Sequence, residues 1–317
     1  MLENSLPDCL LCQGSAVAIS DTLTGRQIRA LWNACNNEIR EEAYGLLTPL
    51  AEVHLFHCLA CGFRFFDPKF VGTAEFYQEL MKRKSYPAMS SEFKSAIEFC
   101  LKNNLRTLMD VGGGEGAFLD MAREAGFETT GVELNREAAA VAAGKGHRMF
   151  TKPLEEIGLD EIGGAVDFLS LFQVIEHVTD PVGFMKTAAS LVRPDGYLCV
   201  AVPSVRRMIG LLHHDPADWP PHHMSRWRIV DLQRLGDACG LKLVASRADQ
   251  LTGSAIPWAW DLRRKLRAGL GLATSLAWDP LIKLGSDAYR YFGLKYMGPC
   301  HGLSLHAVFL KPDNTDA

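Results

Sequence analysis

The chain has 317 residues, which is enough for one large α/β domain with a smaller appendage. Its hydrophobic fraction of 48% and charged fraction of 22% are those of an ordinary globular protein. The formal net charge of -4 offers no basic field to attract a polyanion, so we expect no nucleic-acid partner. The N-terminus shows neither a basic stretch nor an apolar run, and no segment is apolar over the roughly 20 residues that a membrane span needs, so we expect a cytoplasmic protein.

Two C-x-x-C pairs come first along the chain: Cys9 with Cys12, and Cys58 with Cys61. Because the sequence shows no export signal, this pattern favours metal binding over disulfide bonds. Two intervening residues let both thiolates of a pair reach one tetrahedral ion, and two pairs complete its shell. We therefore expect a structural Zn2+ site within a four-cysteine module of residues 1–70, with a redox role of the pairs as the alternative.

The segment 71–105 is predicted to be a helical linker, and the sequence changes character after it. An apolar strand, Thr107–Val111, ends in glycines and passes directly into a helix. Gly112, Gly114 and Gly116 allow a sharp turn and leave room for a ligand at a helix N-terminus. A tight turn without a ligand is the alternative interpretation.

Strands and helices continue to alternate after this glycine loop. A second strand ends at Glu133, whose carboxylate could accept hydrogen bonds from both hydroxyls of a ribose, and a fourth strand is predicted over 165–175. The alternation predicts an α/β fold, a doubly wound Rossmann-like sheet within residues 106–317, with its ligand beyond the carboxyl ends of the strands. The glycines also satisfy the looser pattern G-x-G-x-x-A, which suits NAD, so the motif alone leaves the cofactor open.

Three segments taken together, DVGGGEG, GVELN and LFQVIEHVTDP, resemble the class I S-adenosylmethionine-dependent methyltransferases. The whole chain is similar to a bacterial branch of that family whose members begin with a zinc-binding cysteine module and carry a PPHH-SRW-like stretch after the fifth strand. The resemblance spans about residues 9–250 and implies S-adenosylmethionine (SAM) as cofactor and a small-molecule acceptor. Some relatives with such a module methylate nucleotide-linked deoxysugars, which makes a sugar, a glycan or a lipid precursor the expected acceptor.

The resemblance also implies which residues hold the cofactor. The loop glycines would face its methionine and ribose portions, Asp110 would orient the loop or approach the amino group, and Glu133 would hold the ribose hydroxyls. The expected cofactor-binding residues are Asp110, Gly112, Gly114, Gly116, Glu133, Leu134, Phe172, Gln173 and Val174.

Catalysis requires little covalent chemistry from the protein, because the sulfonium supplies a strong electrophile and the protein aligns the acceptor. A base is needed where the acceptor is a hydroxyl or an acidic carbon. Glu176 and His177 follow the fourth strand on the side where the methyl group should point, and an imidazole titrates near neutrality. His177 is therefore a candidate base; capping of the next helix, or support of the cofactor, is an alternative of equal weight.

The stretch DWPPHHMSRW, residues 218–227, follows the fifth strand. In a doubly wound sheet this loop rises beside the strand ends that hold the methyl donor. We interpret it as the wall of the substrate pocket, with His222 or His223 as an alternative base. A metal site is disfavoured, because adjacent residues rarely present two side chains to one ion. At least one of Trp219 and Trp227 is expected to pack in the core.

A helical insertion of about 252–298 is predicted before the last strand. It mixes aromatic and apolar residues with a basic cluster at 263–267. Amphipathic helices here could cap the substrate site, pair two subunits into a homodimer, or rest on a membrane surface through 255–297, where the cluster could also face a lipid-linked substrate. A solvated helical face above an apolar stripe is the alternative.

Three other functions stay open on the sequence. An NAD-dependent oxidoreductase is the rival within the enzymes. The zinc module could instead belong to a nucleic-acid-binding protein, although the acidic balance of the chain opposes this. A scaffold that binds the cofactor without turnover is the third.

Overall fold

The structure is a computed structural model that describes residues 6–35, 39–81, 91–205, 215–250 and 301–313. The strands are β1 (Val17–Thr24), β2 (Glu52–Cys58), β3 (Arg64–Phe65), β4 (Thr107–Val111), β5 (Glu128–Val132), β6 (Arg148–Phe150), β7 (Val166–Phe172), β8 (Val192–Pro203), β9 (Ser225–Arg226), β10 (Lys242–Gln250) and β11 (His301–Leu310). The helices are α1 (Gly25–Ala34), α2 (Ala74–Met81), α3 (Ser91–Lys102), α4 (Ala117–Glu124), α5 (Arg136–Gly144), α6 (Leu159–Ile162), α7 (Pro181–Ser190) and α8 (Ile229–Ala238).

The larger sheet of the described residues has the strand order β10-β11-β8-β7-β4-β5-β6. The neighbouring strands β8, β7, β4, β5 and β6 all pair parallel to one another, whereas β11 pairs antiparallel with both β8 and β10. Parallel strands covered by helices on both faces are mostly apolar, as in the sequence VDFLSLF of β7, where five of the seven residues are apolar. This mixed seven-stranded sheet with its helices confirms the predicted Rossmann-like α/β fold.

Side-chain caps fix the start of the helices that follow β5 and β7. The Asn135 side chain accepts hydrogen bonds from the first backbone N–H groups of α5, and the Asp180 side chain accepts one from the N–H of Gly183 in α7, where Pro181 takes the first helical position. Asn135 lies three residues after the end of β5, and Asp180 lies eight residues after the end of β7. The chain therefore turns away from the carboxyl edge of the sheet and leaves a crevice there.

The smaller sheet has the order β1-β2-β3-β9. Strand β9 comes from the stretch 218–227 and pairs with β3, with Phe65 opposite Ser225. The sheet that contains Cys58 of the second cysteine pair thus includes a strand from the loop after β8. The separate module of residues 1–70 stays a prediction, as do the boundaries 71–105 and 106–317.

Aromatic residues form the core beside the smaller sheet. Trp219 and Trp227 are both fully buried. The ring centroid of Trp219 lies 5.1 Å from that of Phe66, and the centroid of Trp227 lies 4.8 Å from that of Phe63. Both tryptophans anchor the stretch 218–227 in the protein interior.

Among the described residues, no helix combines the length and apolar content needed to cross a membrane. The predicted insertion at about 252–298, with its membrane, lipid-linked and subunit contacts through 255–297, lies outside the described residues.

Candidate functional site

The glycine loop follows β4 in a backbone conformation that side chains disfavour. Gly112, Gly114 and Gly116 have φ values of 77°, 52° and 84°. A Cβ atom placed on Gly112 would lie 2.6 Å from Cγ2 of Val174, which follows β7. The loop therefore packs directly against the end of the neighbouring strand, and only glycine fits there without a shift.

Glu133 ties the end of β5 to this loop. Its carboxylate accepts hydrogen bonds from the backbone N–H of Gly114 at 2.9 Å and of Asn135 at 2.7 Å. Burial raises the pKa of Glu133, and these backbone donors oppose the rise. The predicted ribose-binding acid and the predicted loop are thus adjacent in the fold.

Asp110 lies at the centre of the same edge and is buried. The Ser170 hydroxyl of β7 donates a hydrogen bond to its carboxylate at 2.7 Å. Burial raises the pKa of Asp110 to about 7, with a further increase from the negative charge of Glu133 and a partial offset from Ser170. Asp110 therefore titrates near neutrality.

The other predicted cofactor residues have different environments. Leu134 is 64% exposed, which leaves its side chain accessible to a ligand, whereas Phe172 packs in the core with ring centroids 4.8 Å from Phe118 and 5.2 Å from Phe93. Gln173 has a φ of 57° and its side-chain amide contacts Glu92 and Ser304. The role of each toward a cofactor stays a prediction.

Three histidines meet where the chain after β7 contacts the stretch 218–227. His177 ends a 3-10 turn, Ile175–His177, that follows β7, and its ring centroid lies 4.7 Å from that of His222 and 4.9 Å from that of His223. The centroids of His222 and His223 are 4.5 Å apart. The two parts of the chain are joined by a hydrogen bond of 2.7 Å from the Met224 N–H to the Glu176 carbonyl. The structure thus brings together every residue predicted to be catalytic, and we call His177, His222 and His223 the histidine cluster.

Each ring of the histidine cluster has an oxygen near its Nδ1 atom. His177 Nδ1 lies 2.6 Å from the His222 carbonyl oxygen, and His222 Nδ1 lies 3.2 Å from the Ala217 carbonyl oxygen. His223 Nδ1 lies 3.3 Å from a carboxylate oxygen of Asp218. Carbonyl and carboxylate oxygens only accept, so the ring proton resides on Nδ1 and the lone pair of a neutral ring on Nε2.

A tyrosine that the sequence analysis did not single out completes the surroundings. Tyr77, on α2, donates its hydroxyl to the His222 carbonyl at 3.1 Å, and the same hydroxyl lies 3.2 Å from His177 Nδ1. Burial, with the negative charge of Glu176, raises the pKa of Tyr77, which keeps it a neutral donor. Nothing in the local pattern of α2 distinguishes this tyrosine from a packing residue; only the tertiary contact reveals it.

Glu176 is 1% exposed, and its Oε1 atom lies 3.8 Å from His177 Nε2. A carboxylate so close to a ring nitrogen favours positive charge on that side of the cluster.

The four cysteines of the C-x-x-C pairs also converge. Cys9 Sγ lies 3.7 Å from Cys61 Sγ, Cys12 Sγ lies 3.6 Å from Cys58 Sγ, and all four sulfur atoms lie within 4.8 Å of one another. The close contacts join one pair to the other, so both turns face a common point. A tetrahedron with Zn–S bonds of 2.3 Å has edges of about 3.8 Å.

The fold and this edge of the sheet define the class of protein. A glycine loop after the first parallel strand, an acid after the second and an antiparallel last strand inserted beside β8 describe a Rossmann-like methyltransferase. The family described as "Methyltransferase domain" matches residues 82–246, just over half of the chain. The chain belongs to this family and is a SAM-dependent methyltransferase, which confirms the predicted enzyme class and cofactor against the NAD-dependent alternative.

Curated relatives match over a shorter region. A ubiquinone biosynthesis O-methyltransferase of Caulobacter vibrioides is 35% identical over 100 residues, which cover 30% of this chain and 40% of that protein. A protein of the same name from Bordetella avium is 29% identical over 99 residues, covering 29% and 41%. The matched part of the chain thus spans about two fifths of the length of these relatives.

Solved structures with a similar fold include a putative methyltransferase from Bacillus halodurans C-125, at 13% identity and a TM-score of 0.47, covering 71% of this chain and 100% of that one. Magnesium protoporphyrin IX methyltransferase from Synechocystis PCC 6803 has 11% identity and a TM-score of 0.47, covering 75% and 95%.

Proposed function

We propose that this enzyme transfers the methyl group of SAM to a hydroxyl oxygen of a small-molecule acceptor, with a sugar, a glycan or a lipid precursor as the expected class. The observation that carries the proposal is the histidine cluster, whose rings meet at the turn Ile175–His177, directly after Val174, the residue that packs on the glycine loop. A hydroxyl acceptor must lose a proton as it is methylated. The O-methyltransferase relatives support the same acceptor atom.

The edge of the sheet fits SAM. Glycine at position 112 lets the loop pack directly against Val174, which holds the loop at the carboxyl edge of the sheet, where ligands of this fold bind. We assign the loop glycines, Asp110 and Glu133 to the methionine and ribose portions, and Leu134 to the adenine. Gln173, Val174 and Phe172 are proposed to shape the pocket from β7. When bound, SAM supplies an electrophilic methyl group on a sulfonium.

The residues of this chain then have two tasks. The acceptor oxygen must lie in line with the methyl–sulfur bond, which the stiff, tryptophan-anchored loop 218–227 favours. Its proton must leave, and the candidates for receiving it are the Nε2 atoms of the histidine cluster and the carboxylate of Glu176. Tyr77 holds the His222 carbonyl and with it the orientation of His177.

We further propose that Cys9, Cys12, Cys58 and Cys61 hold a structural Zn2+. The Sγ separations of 3.6 and 3.7 Å are close to the tetrahedral edge for zinc thiolates and far longer than a disulfide bond. A thiolate set without an open position gives the ion a structural role, so we assign no step of methyl transfer to it.

The function is tested by incubating the purified chain with SAM and a panel of hydroxyl-bearing small molecules, including nucleotide-linked sugars and phenols. Acceptor-dependent formation of S-adenosylhomocysteine (SAH), with a methyl ether as the second product, is the expected result. His177→Gln should lower turnover while SAH affinity, measured by calorimetry, stays within about twofold. Transfer to amine, thiol or carbon acceptors alone would contradict the hydroxyl assignment.

A further inference from the structure

We propose that the histidine cluster is a second metal site, distinct from the four cysteines, that binds one divalent first-row transition ion such as Zn2+. This inference rests on the proposed function, because it concerns the same acceptor end of the active site. It specifies how the acceptor hydroxyl is activated: by a metal ion rather than by a bare imidazole.

The spacing of the cluster permits a shared ion. One ring nitrogen of each histidine lies within 4.8 Å of the others. Tetrahedral coordination with Zn–N bonds of 2.0–2.1 Å places ligand nitrogens about 3.4 Å apart, so binding of an ion would draw the rings closer together. Imidazole suits zinc, copper, iron and nickel, whereas magnesium and calcium prefer oxygen ligands.

The surroundings of the rings are those of metal ligands. A ligating histidine almost always donates its other ring N–H to a carbonyl or a carboxylate, which fixes the tautomer and the ring orientation. All three rings do so here: His177 toward the His222 carbonyl, His222 toward the Ala217 carbonyl, and His223 toward Asp218. A general base needs one ring supported in this way, whereas support of all three rings is typical of a coordination shell.

Because His222 and His223 are adjacent in sequence, their side chains were not expected to reach one ion. The backbone conformation at these residues removes this objection. Side chains of neighbouring residues diverge in a strand. Here the chain turns, because the N–H groups of both residues lie 3.1 and 3.3 Å from the same carbonyl oxygen, that of Trp219. The two rings consequently lie on one side, with an angle of 33° between their planes.

Charge favours the ion as well. The Glu176 carboxylate lies 3.8 Å from His177 Nε2, and Asp218 contacts His223. Two carboxylates beside three imidazole ligands balance one divalent cation, whereas several protonated rings at these distances would repel one another.

The site would be a catalytic one, because three protein ligands leave a position open. The acceptor hydroxyl takes that position, and its proton passes to the Glu176 carboxylate, since coordination lowers the pKa of a bound hydroxyl. The oxygen then forms its bond to the methyl carbon as the carbon–sulfur bond breaks, and the electron pair stays on the sulfur of SAH.

Metal binding is measured on the full chain without acceptor. We expect two zinc ions per chain by elemental analysis, and one in His177→Gln, His222→Gln and His223→Gln. The matched control is His54→Gln, a histidine of β2 outside the cluster, which should retain two. In a Co2+ titration of the stripped protein, one equivalent should give thiolate-to-cobalt charge-transfer absorption, and a second should add only visible bands that the cluster variants lack.

Asp218→Ala is the most discriminating variant, because it keeps all three histidines and removes the carboxylate that contacts His223 Nδ1. Loss of such a partner typically weakens metal binding roughly 10- to 100-fold, so the second Co2+ should bind that much more weakly. Saturation at one ion, or two ions retained in all three cluster variants with normal circular dichroism and SAH binding, would overturn the metal site. Two ions without any methyl transfer would leave the site standing and overturn the function instead.

Discussion

Gly112→Ala tests the contact between the glycine loop and β7. At a φ of 77° an alanine costs about 1–2 kcal/mol. Its Cβ would also lie 2.6 Å from Val174 Cγ2. Valine is stiff at χ1, so relief requires an off-rotamer side chain or a backbone shift, at about 1–3 kcal/mol. We expect the free energy of unfolding, measured with urea, to fall by about 2–5 kcal/mol, and SAH affinity to fall with it.

Gly126→Ala is the matched control, because Gly126 has a φ of 93° and no atom lies within 4 Å of an added Cβ. It should show the backbone cost alone. Adding Val174→Ala to Gly112→Ala removes the clashing methyl, and the double variant should recover the clash portion but not the backbone portion. Equal losses in Gly112→Ala and Gly126→Ala, together with no recovery in the double variant, would refute the close approach of loop and strand.

Three further predictions concern single groups. The pKa of Asp110 in the folded state, about 7, is raised above the unfolded value, so the native state binds a proton that the unfolded state has lost, and the free energy of unfolding should fall between pH 4 and 7 and level off above 7. Asp110→Asn should remove up to about 4 kcal/mol of that fall in urea titrations. An unchanged pH profile in this variant would contradict the titration of a buried Asp110. Cys58→Ser should abolish one zinc equivalent and lower the melting temperature, whereas Cys35→Ser, outside the four-cysteine set, should retain the metal; equal zinc contents would refute the site. Trp219→Ala should cost about 3–5 kcal/mol because the ring is fully buried, and a loss below 1 kcal/mol would show that it is not a core residue.

Much of the larger sheet could be predicted from short stretches of neighbouring residues. The apolar strand over 107–111 and the glycines after it form one continuous signal, because the turn and the strand are built from neighbouring residues. The fourth strand ended earlier than predicted, at Phe172 rather than 175. Gln173 adopts a φ of 57°, and the chain then enters the turn Ile175–His177, so the apolar residues 174 and 175 do not continue the strand.

The parts of the site that depend on distant contacts were not predictable. Strand β9 has two residues, too few for a periodic pattern, and its partner β3 lies some 160 residues earlier. Tyr77 enters the site only because α2 packs beside the loop 218–227. His222 and His223 were predicted as candidate bases from the sequence. That their rings lie on the same side depends on a turn of the backbone, which the adjacency of the two residues did not indicate.

The stretch 218–227 links the cysteine site to the active site. The guanidinium groups of Arg228 and Arg234 both donate to the Cys61 carbonyl, so the start of α8 is attached to the second cysteine turn. Two residues before Arg228, β9 pairs with β3, and two residues before β9 come the histidines. Because each step of this path spans only a few residues, we expect the position of the histidines to depend on the cysteine turns. A structural ion there would act on methyl transfer through the alignment of the acceptor, and not through the affinity for SAM.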